Sequence, residues 1–173
     1  MTVREGASAR LYDTTYQAEL EQEIIGPGLT TYHAFITPPF LAWLFVPLSL
    51  LPYDVSYAVW CLVGLVFLLT SLSLLQRDGR LRNALWALTW FPVFASISFG
   101  QNALVTLVLF CLAYYLWTAD RPLAAGLVAS LALYKPQLLL GIGVIWLFDF
   151  RRSWRALLGL EIGGASLALL SFT

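Results

Sequence analysis

Charge is what this sequence has least of. Only 12% of its 173 residues are Asp, Glu, Lys or Arg, whereas 60% are hydrophobic and the mean hydropathy is +0.76. A soluble domain carries about twice that charged fraction, so the composition excludes an ordinary water-soluble protein and indicates an integral membrane protein. The formal net charge is zero, which removes any bulk electrostatic pull on nucleic acid. Histidine occurs once, at His33, and cysteine twice, at Cys61 and Cys111, both within apolar runs. That scarcity excludes a Cys/His zinc cluster and a disulfide framework, and the two thiols read as small core hydrophobes. No metal site or cofactor is expected. The first 30 residues are polar and acidic and contain no apolar core of the kind a signal peptide needs. A Gly-rich phosphate loop and a nucleophilic serine elbow are also missing. Lysine occurs once, at Lys135.

What the chain has in quantity is apolar runs with aromatic residues between them. Aromatics make up 15%, with seven tryptophans, as expected of side chains that anchor at bilayer interfaces. The chain divides into residues 1–39, a polar segment with an interfacial helix, and residues 40–173, a transmembrane helical bundle. In the first part Asp13 is placed to cap a helix over residues 14–25. Tyr16, Leu20 and Ile24 form its apolar stripe, and Glu19, Glu21 and Glu23 form a solvated face. Gly26-Pro27-Gly28 ends it. Residues 40–51, punctuated by Pro47 and Pro52, are too short for the about 20 residues a spanning helix needs and read as a partly inserted elbow. Residues 55–75 are long enough to span. Further apolar runs cover 84–98, 103–117, 123–134, 138–148 and 156–172. The glycines of the last three, Gly126, Gly141, Gly143, Gly163 and Gly164, suit close helix packing in a membrane.

The arginines set the expected orientation. Residues 76–82 and 149–155 hold three each and residues 118–122 hold one. Cytoplasmic loops collect such residues. If all three breaks are cytoplasmic, Gly100-Gln101-Asn102 and Tyr134-Lys135-Pro136 turn on the outer side, together with the loop that holds His33 and Pro38-Pro39. This alternation requires residues 123–134 and 138–148 to form a hairpin. The competing arrangement is one long kinked helix over 122–148, which the charge rule disfavours.

Lys135 is the focus of the outer side. An ammonium at membrane depth costs roughly 2.5 kcal/mol or more, and Pro136 breaks the helix beside it. A cation at a helix break reads as a site for an anionic group, although a lysine at a helix end also snorkels to the interface. Gln101, Asn102, Gln137 and Tyr134 are expected near it, in one outward-facing cavity, as further substrate-binding residues. The Gln101-Asn102 break reads equally as a solvated turn with an asparagine cap. Glu161, in the last apolar run, reads as intramembrane or as interfacial near Arg155.

The order of several short motifs carries a resemblance: Leu11-Tyr12-Asp13, then Thr37-Pro38-Pro39-Phe40, Pro47-Leu48, Leu51-Pro52 and Trp60. Phe99-Gly100-Gln101-Asn102, Ala125-Gly126-Leu127, Lys135-Pro136 and an Arg-Arg-x-Trp-Arg loop follow. In this order they resemble the bacterial polyprenyl-phosphate-mannose-dependent alpha-1,2-mannosyltransferases, multi-pass glycosyltransferases of the GT-C type. The resemblance implies an all-α, polytopic bundle with part of a GT-C-type fold in the bacterial cytoplasmic membrane. It also implies a polyprenyl-phosphate sugar donor and a lipid or glycan acceptor on the outer face. It implies inverting transfer, with a carboxylate base after a first transmembrane helix. No residue here matches that helix or its Asp, and the resemblance implies a longer protein at both ends. Asp13 is the nearest carboxylate, but it reads better as a helix cap. The alternatives are a transporter or flippase for an anionic lipid or solute, in which discontinuous helices also occur, and an inactive fragment.

Overall fold

A computed structural model describes residues 10–26, 37–75 and 80–171. Among them every regular element is helical, in keeping with an all-α membrane fold. His33 and the Pro27-Gly28 pair lie outside the described residues. The chain forms two compact units, Met1–Leu51 and Pro52–Thr173.

In the first unit, α1 covers Thr14–Ile25, matching the amphipathic pattern. Its start is fixed by Asp13, whose side chain accepts from the amides of Thr15 and Tyr16 at 3.1 Å each. Gly26 ends it with φ 108, a left-handed value that favours glycine. The stripe is half-buried at Tyr16 and Leu20, while Ile24 is exposed. Helix α2 covers Pro39–Phe45, with the proline at its first position, where a missing N–H costs nothing. A short 3-10 turn, Leu48–Leu50, follows. The elbow expected over residues 40–51 is therefore two short helical pieces on either side of Pro47.

The second unit is a helical bundle. Helix α3, Tyr53–Leu75, has 23 residues and is long and apolar enough to cross a membrane. At 1.5 Å per residue it measures about 34 Å against a hydrocarbon core of about 30 Å. Then come α4 (Arg80–Thr89), α5 (Phe91–Ser98), α6 (Ala103–Thr118), α7 (Pro122–Ser130), α8 (Pro136–Phe148) and α9 (Phe150–Ser171). Two features differ from the sequence expectation. The run over 84–98 is two helices broken at Trp90, because Pro92 opens a new helix. The basic segment 149–155 is no loop: the Asp149 backbone carbonyl accepts from the amides of Arg152 and Ser153, and its arginines form the first turns of α9. Arginine is a good helix former, and no Gly or Pro stands there to stop it.

The direction of each helix follows from who touches whom. Trp60 of α3 donates to the Gly100 carbonyl just before α6, and a Cβ on Gly64, one turn later in α3, would meet Leu104 of α6. Residue numbers rise together, so α3 and α6 are parallel and α4–α5 return between them. Helices α7 and α9 pack backbone to backbone. A Cβ on Gly126 would strike the Ala156 carbonyl, one on Gly159 the Leu123 carbonyl, and one on Gly163 the Ser130 hydroxyl. From this crossing the contacts advance to Ser130–Gly163 and Leu133–Gly164, and Arg152 at the start of α9 lies against Trp117 at the end of α6, which leads into α7, so α7 and α9 are parallel. The chain must then reverse twice between them, once at Lys135 and once at Asp149. The hairpin is the arrangement present, and the single kinked helix is not. The core between these helices holds Ala113, Ala125, Ala129, Ala132, Leu139, Trp146 and Ala156. Alanines and glycines dominate because close backbone approach replaces the hydrophobic drive that lipid does not supply.

The reversal is built from a tightening helix. After Ser130, bonds of the i→i+3 type continue through Leu131, Ala132 and Leu133 to Lys135. About 14 Å of α-helix and about 8 Å of tighter turn bring this arm close to the about 24 Å of α6 beside it.

Candidate functional site

The helix directions sort the loops of the second unit into two ends. One end gathers the C-terminus of α3, the start of α4, the α6–α7 connection and the α8–α9 connection. The contact of Arg152 of α9 with the Trp117 ring of α6, 4.7 Å from its centroid, ties this end together. Arg82, Arg121, Arg151, Arg152 and Arg155 all lie here and all are exposed. The other end gathers the start of α3, the α5–α6 turn and the reversal at Lys135. Gln101, Asn102, Tyr134, Lys135 and Gln137 therefore share one end, opposite the arginines.

The α5–α6 turn is held by its carbonyls. Tyr57 donates to the Ser98 carbonyl and Trp60 Nε1 donates to the Gly100 carbonyl, each at 2.9 Å. The Cys61 thiol faces the Ile97 carbonyl at 3.7 Å. Gly100 takes φ 61, a left-handed conformation that other residues adopt at a cost. These bonds turn carbonyls toward α3 and leave Gln101 exposed and Asn102 half-buried at the start of α6. No side chain caps α6, so its first amides lack an intrahelical acceptor, as at any helix start.

The reversal docks onto that same helix start. Tyr134 is 5% exposed, and its hydroxyl lies 2.7 Å from Thr106 Oγ1 and donates to the Asn102 carbonyl at 3.2 Å. Lys135 follows, with φ −130 and ψ 67, as the residue preceding α8, and Pro136 occupies the first position of that helix. The residue before a proline avoids the helical region, which is why the break falls at the lysine. Its side chain is half-buried, and its ammonium sits 5.8 Å from the centroid of the Tyr134 ring. Among the described residues no carboxylate or hydrogen-bond acceptor engages it. Gln137, in the first turn of α8, is exposed. The arrangement is a cation at the start of α8, next to a tyrosine whose hydroxyl docks on the start of α6, and helix starts carry partial positive charge and free amide donors. It is suited to a phosphate.

Asp13 belongs to the first unit. Its carboxylate caps α1 and pairs with Arg10 at 3.4 Å, and the Tyr16 amide holds its pKa below the ordinary value, with Arg10 and the Thr15 amide adding to the effect. Its oxygens are occupied by a structural role. Glu161 is exposed on α9. Sequence reasoning missed Thr106 and Tyr57 of α3 and named Trp60 only in the order of motifs, with no role; all three are polar or amphipathic side chains in apolar helices. Each carries a donor group, but so do Ser56, Thr70, Ser71 and Ser73 of α3 and Tyr114 and Tyr115 of α6, so the sequence does not single them out.

Residues 35–173 match the profile of glycosyltransferase family 87. No curated protein and no solved structure matches the chain. The matched segment covers the whole of the helical bundle with both of its ends, and on that evidence the chain belongs to glycosyltransferase family 87.

Proposed function

We infer that the protein transfers a hexose, mannose by the resemblance noted above, from a polyprenyl-phosphate donor to an acceptor at the outer face of the bacterial cytoplasmic membrane, with the bundle crossing that membrane several times as part of a GT-C-type fold. The observation that carries this reading is the half-buried Lys135 at a chain reversal, beside the start of α6 and on the end away from the arginines. Charge asymmetry assigns the arginine end to the cytoplasm, which leaves the lysine end facing outward.

In this reading Lys135 pairs with the donor phosphate as a point charge, and the amides that open α6 add donors. Gln101, Asn102 and Gln137 bind the phosphate or the sugar. The acceptor hydroxyl oxygen attacks the anomeric carbon from the face opposite the phosphate. The bond from that carbon to the phosphate oxygen breaks, and its electron pair leaves on polyprenyl phosphate. Lys135 and the amides stabilise the charge that grows on this oxygen, and such stabilisation is commonly the largest part of catalysis. The acceptor proton passes to a carboxylate base that no residue of this chain matches.

The test is transfer from polyprenyl-phosphate mannose in membranes by the wild-type protein and by Lys135→Ala. Loss of transfer with intact expression and folding supports the assignment; unchanged transfer removes Lys135 from the site.

A further inference from the structure

The Tyr134 side chain makes two separate connections. Its hydroxyl reaches across to α6, to Thr106 and the Asn102 carbonyl. Its ring face lies under the ammonium of the next residue, Lys135. Thr106 completes a three-way cluster, since its own hydroxyl also reaches the Asn102 carbonyl at 3.3 Å. Among the described residues, this cluster provides the only hydrogen bonds between the reversal over residues 131–135 and another helix. Both side chains are buried, at 5% exposure each, so neither hydroxyl is free to take a ligand. A polar cluster of this kind, fully satisfied, fixes one geometry where apolar packing alone tolerates several.

We propose that Tyr134 and Thr106 are a positioning pair that fixes the Lys135 ammonium relative to the first amides of α6, so that both address one phosphate. The proposal rests on the donor-site reading above. It moves Tyr134 from the ligand shell to the frame that holds the shell. A phosphate bound by a flexible lysine alone would tolerate a shift of the reversal. One bound jointly by the lysine and a helix start would not, because the two groups belong to different helices and this cluster joins them.

The experiment measures the Kd of a short-chain polyprenyl phosphate, with donor and acceptor KM, for Tyr134→Phe, Thr106→Val, Thr106→Ser and Lys135→Ala. It also measures the Tyr134→Phe/Lys135→Ala double variant. Tyr134→Phe leaves Thr106 its own bond to the Asn102 carbonyl, so folding is expected to persist; if it does not, Thr106→Val carries the test. The pair predicts that Tyr134→Phe and Thr106→Val each weaken polyprenyl phosphate by about tenfold. Acceptor KM stays unchanged and Thr106→Ser binds like the wild type. In the Lys135→Ala background, Tyr134→Phe adds no further loss, because a group acting through the lysine has nothing left to position. Three results overturn the pair: wild-type affinity in Tyr134→Phe, an equal rise in donor and acceptor KM with a lowered Tm, or independent losses in the double variant. If Lys135→Ala itself binds polyprenyl phosphate normally, the donor site is wrong and the pair falls with it. If Lys135→Ala loses binding and Tyr134→Phe does not, the site stands and only the pair is wrong.

Discussion

At one end of the second unit lie Arg82, Arg121, Arg151, Arg152 and Arg155, all exposed; at the other lies Lys135, half-buried beside a helix start. The arginines are laid against tryptophans, Arg152 over Trp117 and Arg155 over Trp154 at 4.7 and 5.2 Å. Their long stems and rings suit a membrane boundary, where charge remains in water and the apolar part in lipid. In the proposed reading an excess of exposed, interchangeable cations fixes orientation and leaves each one individually dispensable. A single cation that is half-desolvated and set at a helix start has the opposite character, since its value depends on where it stands. In the proposed reading, the same formal charge serves an address at one end and a binding site at the other.

Breaking the contrast at its sharpest point gives the largest effect. Lys135→Ala is expected to lower transfer by about 100-fold or more, the scale of a lost charge-assisted bond in a site screened from water. Arg151→Ala is expected to change transfer by less than about twofold, as an exposed charge does. Both are read from kcat/KM in membranes. Next in size is the joint that connects the ends. Gly126→Leu drives a side chain into the α9 backbone at Ala156 and is expected to cost at least about 3 kcal/mol. Loss of folded protein in detergent, followed by gel filtration, checks it, whereas Gly141→Leu, with nothing near its Cβ, is expected to be tolerated. The sidedness itself is tested by labelling with a membrane-impermeant maleimide. A cysteine at Gln101 is expected to react from outside intact cells, and one at Arg151 only after permeabilisation. The smallest effect belongs to Ser153, which is fully buried in the arginine end with an Oγ that finds no partner among the described residues. An unmade buried bond costs about 1–3 kcal/mol, so Ser153→Ala is expected to leave Tm unchanged or raise it.

Much of this contrast was legible in the sequence. Arginine clustering at 76–82, 118–122 and 149–155 gave the common end of those segments, and Pro136 after Lys135 marked the chain reversal. The cap at Asp13 was readable because a carboxylate before a helical stripe has few other uses. The continuation of α9 back to Phe150 was hidden, because arginines that signal a loop on the charge rule are also good helix formers. The break at Trp90 was hidden as well, since a proline inside an apolar run either kinks or restarts a helix. The bonds that shape the site escaped altogether. Tyr134 to Thr106 and Trp60 to Gly100 span 28 and 40 residues, and no local pattern reports a contact between parallel and antiparallel helices that far apart.

The claim that matters most is that the outward lysine end, and not the arginine end, holds the lipid-borne phosphate. Crosslinking with a polyprenyl phosphate that carries a photoreactive group near its phosphate, read by mass spectrometry of the labelled peptides, tests it directly. Adducts on residues 101–106 and 134–138 that disappear in Lys135→Ala are the expected result. Adducts on residues 149–155, or labelling at 134–138 that survives loss of the lysine amine, would contradict it.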